Sequence, residues 1–362
     1  MLFLQKIIIT HFKNYEISSF DFSSRVVGIC GRNGIGKTNL LDAIHYCSFT
    51  KSYFSGTDLV NTGTNKEGFR LQAEFKQNDF TQQVVCIYKI NGKKDFFLDE
   101  VPYEKLSHHI GLLPCVMIAP DDIDIINGGS ELRRKFLDTL LSQLDKEYLQ
   151  HLIVYNKVLL QRNSFLKQAA EKGNLDKALL EIFDEQLSKP AAFIYKKRVE
   201  YTTQLLELVD QFYKQISQNE EQLNIKYVSQ LHEDKMESLL LKSREKDRIL
   251  NRTNVGIHKD DVVIEFEEYL FKNIASQGQK KSLLFALKLA EYEMIKSSKG
   301  FYPILMLDDV FEKLDRNRMD NLLDWVCVKN NGQVFITDTH KERIEDTFVR
   351  LGIEGQVVEL EG

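Results

Sequence analysis

The hydrophobic pattern along the chain changes twice, and its first part predicts strands interrupted by one helix. Asn91-Gly92 separates two alternating runs, which is a strong signal for a β-hairpin. From Lys37 to about Phe49 the apolar positions recur at helical spacing, so one face of this helix is expected to pack on a sheet. The apolar or alternating segments that predict strands are 2–10, 25–30, 69–75 and 83–99.

The middle of the chain predicts helices, because apolar residues recur at three- and four-residue steps from about Ser130 to Leu250. The segment 171–174 breaks this pattern, and a second long helix is expected from about Leu175 to Ser217, with a kink near Pro190. Two long helices joined by a short break favour an antiparallel hairpin. The spacing does not keep to strict heptads, so it does not indicate a long coiled coil.

After about residue 255 the pattern returns to strands that alternate with helices, and this order predicts a mostly parallel sheet flanked by helices. The simplest assembly is an α/β head made of residues 1–127 and 253–362, with an N-terminal antiparallel β region. Residues 128–252 are then an inserted α-helical lid domain. The elements expected in the last part are strands at 260–266, 302–309 and 332–337 and helices at 276–296 and 315–328.

Composition and charge narrow the classes of function. The 362 residues are 43% hydrophobic and 28% charged, without a basic leader or an apolar run that could span a bilayer, so we expect a cytoplasmic globular protein. The five cysteines are scattered, which argues against a disulfide framework or a zinc site. Since the net charge is −5, binding to DNA would require basic residues gathered on one face or would be conditional.

A glycine-rich stretch between a predicted strand and a predicted helix matches the phosphate-binding pattern GxxxxGK[ST]. Its glycines let backbone N–H groups turn toward phosphate oxygens, and the helix N-terminus adds further donors. Lys37 is expected to reach the β- and γ-phosphates of ATP, and the Thr38 hydroxyl to ligate Mg²⁺. The alternative is a chance match in a turn. The residues of this predicted P-loop are Gly31, Arg32, Asn33, Gly34, Ile35, Gly36, Lys37 and Thr38.

A predicted buried strand over residues 303–307 is followed by two carboxylates, Asp308 and Asp309. Carboxylates at a buried strand end need partners, because burying an unpaired charge is costly. In a Walker B strand, Asp308 would hold Mg²⁺ together with Thr38, and Asp309 would orient or deprotonate the water that attacks ATP. The competing interpretation is a strand end that caps a helix or opens a turn.

The segment Ser276-Gln277-Gly278-Gln279 precedes a predicted helix and offers a second anion-binding turn. Taken alone, it is better explained by an ordinary N-cap serine. One P-loop has no use for a second phosphate cradle in the same chain, whereas two chains that face each other do. In that arrangement Ser276, Gly278 and Gln279 of each chain contact the γ-phosphate held by the other, which predicts a homodimer formed on ATP binding.

The order of these motifs resembles that of ABC-type ATPase heads and, more specifically, that of the RecF family of DNA-repair ATPases. It runs from the P-loop through a helical insert to the serine segment, the Asp308-Asp309 pair and a Leu314-Asp315 turn. The resemblance covers most of the chain, with the middle helices matched only in kind. Segments that also resemble the family lie at 9–22, 31–54, 120–138 and 255–261.

The resemblance implies an ATP-driven homodimer that acts at gapped DNA or at junctions between single strands and duplex. Two heads would close around two ATP molecules to build a DNA-binding surface, and slow, DNA-stimulated hydrolysis would open it. The resemblance also implies partners of the RecO and RecR type, help in loading RecA, and roles in recombinational repair, replication restart and the SOS response.

Other classes of protein share parts of this pattern. An SMC-type ATPase head has the same motifs, but it carries long coiled-coil arms that the 128–252 insert is too short to provide. A transporter-type ABC subunit has a different signature segment and pairs with membrane proteins. A P-loop kinase needs no signature serine.

Basic clusters and two histidines are weaker candidates for function. The clusters could contact DNA phosphates, although a solvated helix face is the commoner explanation for each. His258 and His340 could touch the γ-phosphate or a domain interface, and a structural role explains either of them equally well. The basic clusters are Arg133-Arg134-Lys135, Lys196-Lys197-Arg198 and Lys280-Lys281.

Overall fold

The computed structural model describes residues 1–217, 223–311 and 316–361. The chain folds into two compact units. The first contains Met1–Ile123, the end of a long helix from Gln211 onward, and the chain from Ser276 to the C-terminus. The second begins at Asp124 and ends at Ala275. The predicted domain limits stay a prediction; in the structure, residues 253–275 lie in the second unit and not with the first.

Strands and helices alternate in both units. Along the chain the strands are β1 (Leu2–Phe12), β2 (Tyr15–Asp21), β3 (Val26–Cys30), β4 (Gly68–Gln77), β5 (Phe80–Lys89), β6 (Lys94–Leu98), β7 (Val101–Pro102), β8 (Cys115–Ile118), β9 (Asn224–Val228), β10 (Asp261–Phe266), β11 (Tyr269–Leu270), β12 (Ile304–Leu307), β13 (Val334–Asp338) and β14 (Gly355–Glu359). The α-helices are α1 (Lys37–Phe49), α2 (Asp124–Asn127), α3 (Ser130–Leu144), α4 (Lys146–Lys172), α5 (Lys177–Ser217), α6 (Met236–Leu250), α7 (Phe271–Ile274), α8 (Gln277–Lys299), α9 (Arg316–Leu323) and α10 (Lys341–Leu351).

Two sheets build the first unit. One is antiparallel, in the order β2-β1-β4-β5-β6-β7, and it confirms the predicted N-terminal antiparallel region. The β5–β6 hairpin turns at Asn91-Gly92 as predicted, with Gly92 at a φ of 85°. The other sheet has the order β14-β3-β13-β12-β8, and its neighbouring strands are all parallel. The fold is therefore the α/β fold with a parallel sheet that the hydrophobic pattern predicts.

The parallel sheet positions the candidate site because its strands end at a common edge. β3, β12 and β13 are buried along their whole lengths, as expected of apolar strands with neighbours on both sides. The P-loop follows β3, Asp308 follows β12, and Thr337 lies near the end of β13. Their polar groups are thus collected at the carboxyl edge of the sheet, where α/β proteins bind ligands.

The second unit is mainly helical and contains a small antiparallel sheet in the order β11-β10-β9. Its helices are joined by a buried ion-pair network around Arg162 of α4. The Arg162 guanidinium donates to Asp184 of α5 at 2.9 Å and to Asp247 of α6 at 2.8 Å. Because a buried charge needs a partner, this network specifies how the three helices lie against one another.

Two parts of the middle region differ from the helices predicted there. The first expected helix is divided into α3 and α4, because the Asp145 carboxylate accepts hydrogen bonds from the backbone N–H groups of Glu147 and Tyr148 and so caps α4. Within the region predicted as helix, Asn224–Val228 instead form β9, which pairs with β10. The second long helix does form as α5 and runs through Pro190.

The remaining expectations from the sequence concern α9, membrane spans and cysteines. The helix predicted at 315–328 is α9 followed by a π-helical turn, Asp324–Lys329, whereas Asp315 and the Leu314-Asp315 turn lie outside the described residues. Across the described ranges, no helix is both long enough and apolar enough to cross a bilayer. All five cysteines are buried free thiols.

Candidate nucleotide site

The P-loop bends sharply between β3 and α1. Gly31 and Gly36 have φ values of 148° and 120°, a region that residues with a side chain rarely adopt. At Gly36 a Cβ would also lie 2.7 Å from Asn14 Nδ2, so the close approach of a neighbouring segment requires glycine there. The turn delivers the chain directly to the N-terminus of α1, where unpaired N–H groups and the helix dipole attract an anion.

The Lys37 ammonium lies inside this loop. Its Nζ donates to the carbonyl oxygens of Gly31 at 2.6 Å and Arg32 at 3.1 Å, and the residue is 8% exposed. These carbonyls hold a positive charge next to the N-terminus of α1. A phosphate oxygen in the loop can replace either carbonyl as the acceptor of the ammonium protons.

Two residues before the P-loop brace it from outside. The Asn14 amide donates to the Ile35 carbonyl at 2.8 Å, and the Tyr15 hydroxyl donates to the Gly36 carbonyl at 3.0 Å. Burial raises the pKa of the Tyr15 phenol, so the hydroxyl keeps the proton that it donates. Sequence reasoning did not single out these residues as part of the site, although both lie in the 9–22 segment that resembles the RecF family.

Asp308 connects the P-loop helix to the neighbouring strands. The Thr38 hydroxyl lies 2.9 Å and 3.1 Å from the two Asp308 carboxylate oxygens, and the Thr337 hydroxyl donates to Asp308 Oδ1 at 2.8 Å. Burial raises the pKa of Asp308, and the hydrogen bonds from Thr337 and Thr38 oppose that rise. Thr337 was missed from the sequence because it reads as an ordinary strand residue.

The Thr38 hydroxyl and the Asp308 carboxylate form a donor set that fits Mg²⁺. Mg²⁺ prefers oxygen ligands and usually takes one or two carboxylates and a hydroxyl while phosphate oxygens and water complete its shell. Among the described residues, no group of three or more His, Cys, Asp or Glu side chains could hold a metal on its own. With one hydroxyl and one carboxylate, the Thr38-Asp308 pair would leave most of the coordination shell to phosphate oxygens and water.

Asp309 occupies an unusual backbone conformation beside this centre. Its φ is 50°, in the left-handed region, and its backbone N–H donates to the Thr337 hydroxyl at 2.8 Å. Residues in this region are enriched at functional sites, where the surrounding structure maintains the strain. Thr337 thus bonds to both members of the predicted carboxylate pair. Its bond to the Asp309 N–H stabilises the backbone conformation of Asp309.

The Ser276 turn forms a capping box at the start of α8. The Ser276 hydroxyl accepts from the backbone N–H of Gln279 at 3.2 Å, and Gln279 Oε1 accepts from the backbone N–H of Ser276 at 2.7 Å. At Gly278 a Cβ would lie 2.2 Å from Arg318 Nη1, so this glycine allows the arginine to approach. The N-cap explanation is thus correct for the single chain, and the role of this turn toward a second chain stays a prediction.

The two candidate histidines lie in different units. His258 belongs to the second unit, where its Nδ1 is 2.7 Å from the Tyr155 hydroxyl and its Nε2 is 3.2 Å from the Thr253 carbonyl oxygen. Burial lowers its pKa to about 4, so it is a neutral structural residue. His340 is exposed and precedes α10 in the first unit, and it lines a cleft together with Gly31 and Arg32.

Several basic residues proposed for DNA are engaged inside the second unit. Arg133 forms a bidentate pair with Asp261 at 2.7 and 2.9 Å. Arg134 donates to the Asp260 carbonyl at 2.6 Å, and buried Arg198 pairs with the Asp260 carboxylate. These arginines therefore hold the 255–261 segment within the second unit, and this structural role accounts for their charges. Lys135 and Lys196 are exposed.

The fold and the site together are those of an ATPase head of the ABC and SMC class. A family model described as the RecF/RecN/SMC N-terminal domain matches residues 3–357. DNA replication and repair protein RecF of Flavobacterium johnsoniae is 42% identical to this chain, over 94% of this chain and 95% of its own length. The corresponding protein of Azobacteroides pseudotrichonymphae is 40% identical over 97% and 95%. The chain belongs to the RecF family.

Solved structures agree with this assignment. The structure of the recombination mediator protein RecF-ATPrS in the RecFOR pathway has a TM-score of 0.88 and 32% identity, and the match covers 99% of this chain and 96% of the other. The RecF-ATP structure has a TM-score of 0.86 and 33% identity, with coverage of 94% and 92%. An Smc head from Pyrococcus furiosus has a TM-score of 0.55 at 15% identity, and this likeness extends to the fold alone.

Proposed function

We propose that this chain binds and hydrolyses ATP at the P-loop, and that the nucleotide switches it between two assembly states. The observation that carries the proposal is the pair of hydrogen bonds from Thr38 to Asp308, because it joins the P-loop to the strand that would hold Mg²⁺. When bound, Mg²⁺ would neutralise developing charge on the phosphates. Lys37 would bind the β- and γ-phosphates, and Asp309 would orient or deprotonate the attacking water.

The proposed second state is a homodimer that forms on ATP binding. Each chain would present Ser276, Gly278 and Gln279 to the γ-phosphate in the P-loop of the other chain. The exposed N-terminus of α8 supports this role, since its hydroxyl and backbone donors can face an anion while the capping box keeps the turn in place. ATP would act as a timer, because hydrolysis removes the phosphate that joins the two chains.

The proposed task is DNA binding in recombinational repair and replication restart. The named relatives support it, since they are DNA replication and repair proteins and since solved RecF structures belong to the RecFOR pathway. We propose that the ATP-bound dimer acts at gapped DNA or at junctions between single strands and duplex. With partners of the RecO and RecR type it would help to load RecA and support the SOS response, in the cytoplasm.

The two other ATPase classes are less well supported. An SMC-type head would need long coiled-coil arms, whereas the second unit is a compact body in which α4, α5 and α6 are joined by the Arg162 network. A transporter-type subunit would bind membrane proteins, and relatives of nearly full length are named for DNA repair and not for transport.

The experiment that tests the proposal measures binding of the full chain to gapped, single-stranded and duplex DNA, each with ATP, ADP or no nucleotide. The mass of the protein is recorded in parallel. We expect ATP to produce a dimer and to strengthen binding to gapped DNA, whereas ADP should do neither. Equal binding in all three nucleotide states would refute the proposed switch.

A further inference from the structure

A chain of buried polar contacts in the first unit connects α1 with α8 through Tyr53. The backbone N–H of Tyr53 donates to Asp42 Oδ1 at 2.7 Å, and its hydroxyl donates to Asp122 Oδ1 at 2.5 Å. The Lys288 ammonium in turn donates to the Tyr53 hydroxyl at 3.1 Å. One residue thus bonds through its backbone to the helix after the P-loop, and through its hydroxyl to the turn after β8 and to the helix that follows Ser276.

The phenol hydroxyl is well suited to this junction. It donates one proton and accepts another, so it can lie between a carboxylate and an ammonium group without leaving either without a partner. Burial raises the pKa of the Tyr53 phenol, which therefore remains protonated. The ring is held by an edge-on contact with His45 at 5.0 Å and by Lys288, whose Nζ lies 5.5 Å from the ring centroid.

The charges beside the hydroxyl make the contact specific. Lys288 and Asp122 are buried, and their Nζ and Oδ2 atoms are 3.7 Å apart. Asp122 Oδ2 also accepts from the backbone N–H of Ala119 at 2.8 Å, which ties the carboxylate to the turn after β8. Because this separation is longer than a direct hydrogen bond, the Tyr53 hydroxyl supplies the short contact between the ammonium and the carboxylate.

The two helices that these contacts connect, α1 and α8, both begin at residues of the proposed ATP site. Asp42 lies about one turn after Lys37 and Thr38 in α1, and it pairs with Lys13 at 2.6 Å, next to the Asn14 and Tyr15 brace. Lys288 lies in α8, about three turns after Ser276. The hydrogen bonds of Tyr53 therefore resist a displacement of α1 relative to α8, the helix that begins at the serine turn.

We propose that Tyr53 is a positioning residue: its hydroxyl holds α8, and with it Ser276, in a defined place relative to the P-loop helix. The inference rests on the proposed ATPase function and adds a residue that lies outside the P-loop, the Asp308-Asp309 pair and the serine turn. It predicts that the hydroxyl affects dimer closure and turnover, because these need the serine turn, while ATP binding to the P-loop does not depend on it.

The test compares Tyr53→Phe with Tyr46→Phe in the full chain. Tyr46 is a matched control, because it is a buried α1 tyrosine whose hydroxyl donates to Asp58 Oδ1 at 2.6 Å, away from α8. For Tyr53→Phe we expect kcat to fall about tenfold, the loss of one charge-assisted hydrogen bond, with the Kd for a non-hydrolysable ATP analogue within about twofold of wild type. ATP-driven dimerisation should weaken in parallel. Tyr46→Phe should retain the wild-type kcat.

A double-mutant cycle with Asp122→Ala, which removes the acceptor of the Tyr53 hydroxyl, provides a second test. If the hydroxyl acts through Asp122, adding Tyr53→Phe to Asp122→Ala should lower kcat no further. Fully additive effects, a wild-type kcat for Tyr53→Phe, or equal losses for the two tyrosine variants would overturn the positioning role. A wild-type chain that neither hydrolyses ATP nor dimerises would instead overturn the proposed function itself.

Discussion

The Thr38 hydroxyl lies 2.9 Å from Asp308 Oδ2, although the two residues are 270 positions apart in the chain. This bond joins the second residue of α1, the helix that follows the P-loop, to the residue that follows the buried strand β12 of the parallel sheet. A threonine hydroxyl and a carboxylate at this distance can share one Mg²⁺ ion, which supports the ATPase chemistry proposed for the site.

Removing the Lys37 side chain beyond Cβ should strongly weaken ATP binding. In Lys37→Ala the phosphates lose a nearly buried ammonium group, and we expect the affinity for ATP to fall about 100-fold, or about 3 kcal/mol. Isothermal titration of ATP against the variant measures the loss. Lys66→Ala is a suitable control, because this lysine pairs with exposed Glu16 on the antiparallel sheet. Unchanged ATP affinity in Lys37→Ala would refute the assignment of the P-loop.

Replacing Asp309 by asparagine should stop hydrolysis and preserve ATP binding. Asparagine tolerates the left-handed backbone of this position, where φ is 50°, so the change removes the charge without adding strain. Since general-base catalysis contributes at least about 100-fold, we expect Asp309→Asn to turn over at least about 100-fold more slowly and to remain on DNA as an ATP-bound dimer. If the variant hydrolyses ATP normally, Asp309 is not the catalytic carboxylate.

The Thr337 hydroxyl should contribute both to kcat and to the free energy of unfolding. In Thr337→Val the Asp309 N–H loses its acceptor and Asp308 loses a donor, so we expect the free energy of unfolding to fall by about 1–3 kcal/mol. We also expect kcat to fall about tenfold, since a shift of the carboxylate pair raises the barrier. Thr337→Ser retains the hydroxyl and should restore both values. A valine variant with wild-type turnover would show that Thr337 is only a core residue.

Arg133 should stabilise the second unit and make no contact with DNA. Its bidentate pair with Asp261 is mostly buried, so Arg133→Ala should lower the free energy of unfolding by about 3 kcal/mol. The slope of DNA affinity against salt concentration should stay unchanged, because that slope counts phosphate contacts. A slope reduced by about one would show instead that Arg133 binds a phosphate in the complex. Lys135→Ala, at a neighbouring exposed position, serves as the comparison.

Acid should destabilise the second unit partly through His258. The pKa of this histidine is lowered from 6.5 to about 4 in the folded chain, so between these values the unfolded chain binds more protons. The contribution of neutral His258 to stability is fully present above pH 6.5 and is lost as the pH falls toward 4. At pH 5 the loss amounts to about 2 kcal/mol. Urea midpoints at pH 7 and pH 5 should differ less in His258→Gln than in the wild type; an equal difference would contradict this account.

The parts of the site that local patterns define could be predicted from the sequence. The P-loop needs glycines, a lysine and a threonine at fixed spacing, and Asp308 and Asp309 follow an apolar run, so neighbouring residues identify both. The N-cap role of Ser276 was also predicted, because a serine precedes the helix, whereas the reciprocal bond from the Ser276 N–H to the Gln279 side chain was found only in the structure. Strand alternation likewise predicted the hairpin at Asn91-Gly92.

Features that depend on distant contacts could not be predicted. Thr337 looks like any apolar-strand threonine until the parallel sheet places it next to Asp308. In the sequence Arg133 resembles an exposed cation, because its partner Asp261 lies on β10, 128 residues later in the chain. Asp145 ends α3 and caps α4 within a region whose apolar spacing continues without a break, so periodicity alone does not show where one helix stops.

We propose that ATP in the P-loop of one chain meets the serine turn of a second chain, and cross-linking between two variants tests this claim. The five native cysteines are buried, whereas Asn33 and Gln277 are exposed, so Asn33→Cys and Gln277→Cys each add an accessible thiol and leave Ser276 in place. The two variants are mixed and treated with a short bismaleimide in ATP or ADP. We expect a covalent dimer in the mixture with ATP, and none with ADP or with either variant alone. If ATP drives dimerisation of the mixture but the thiols do not cross-link between chains, the serine turn does not face the P-loop of the partner, and the claim is wrong.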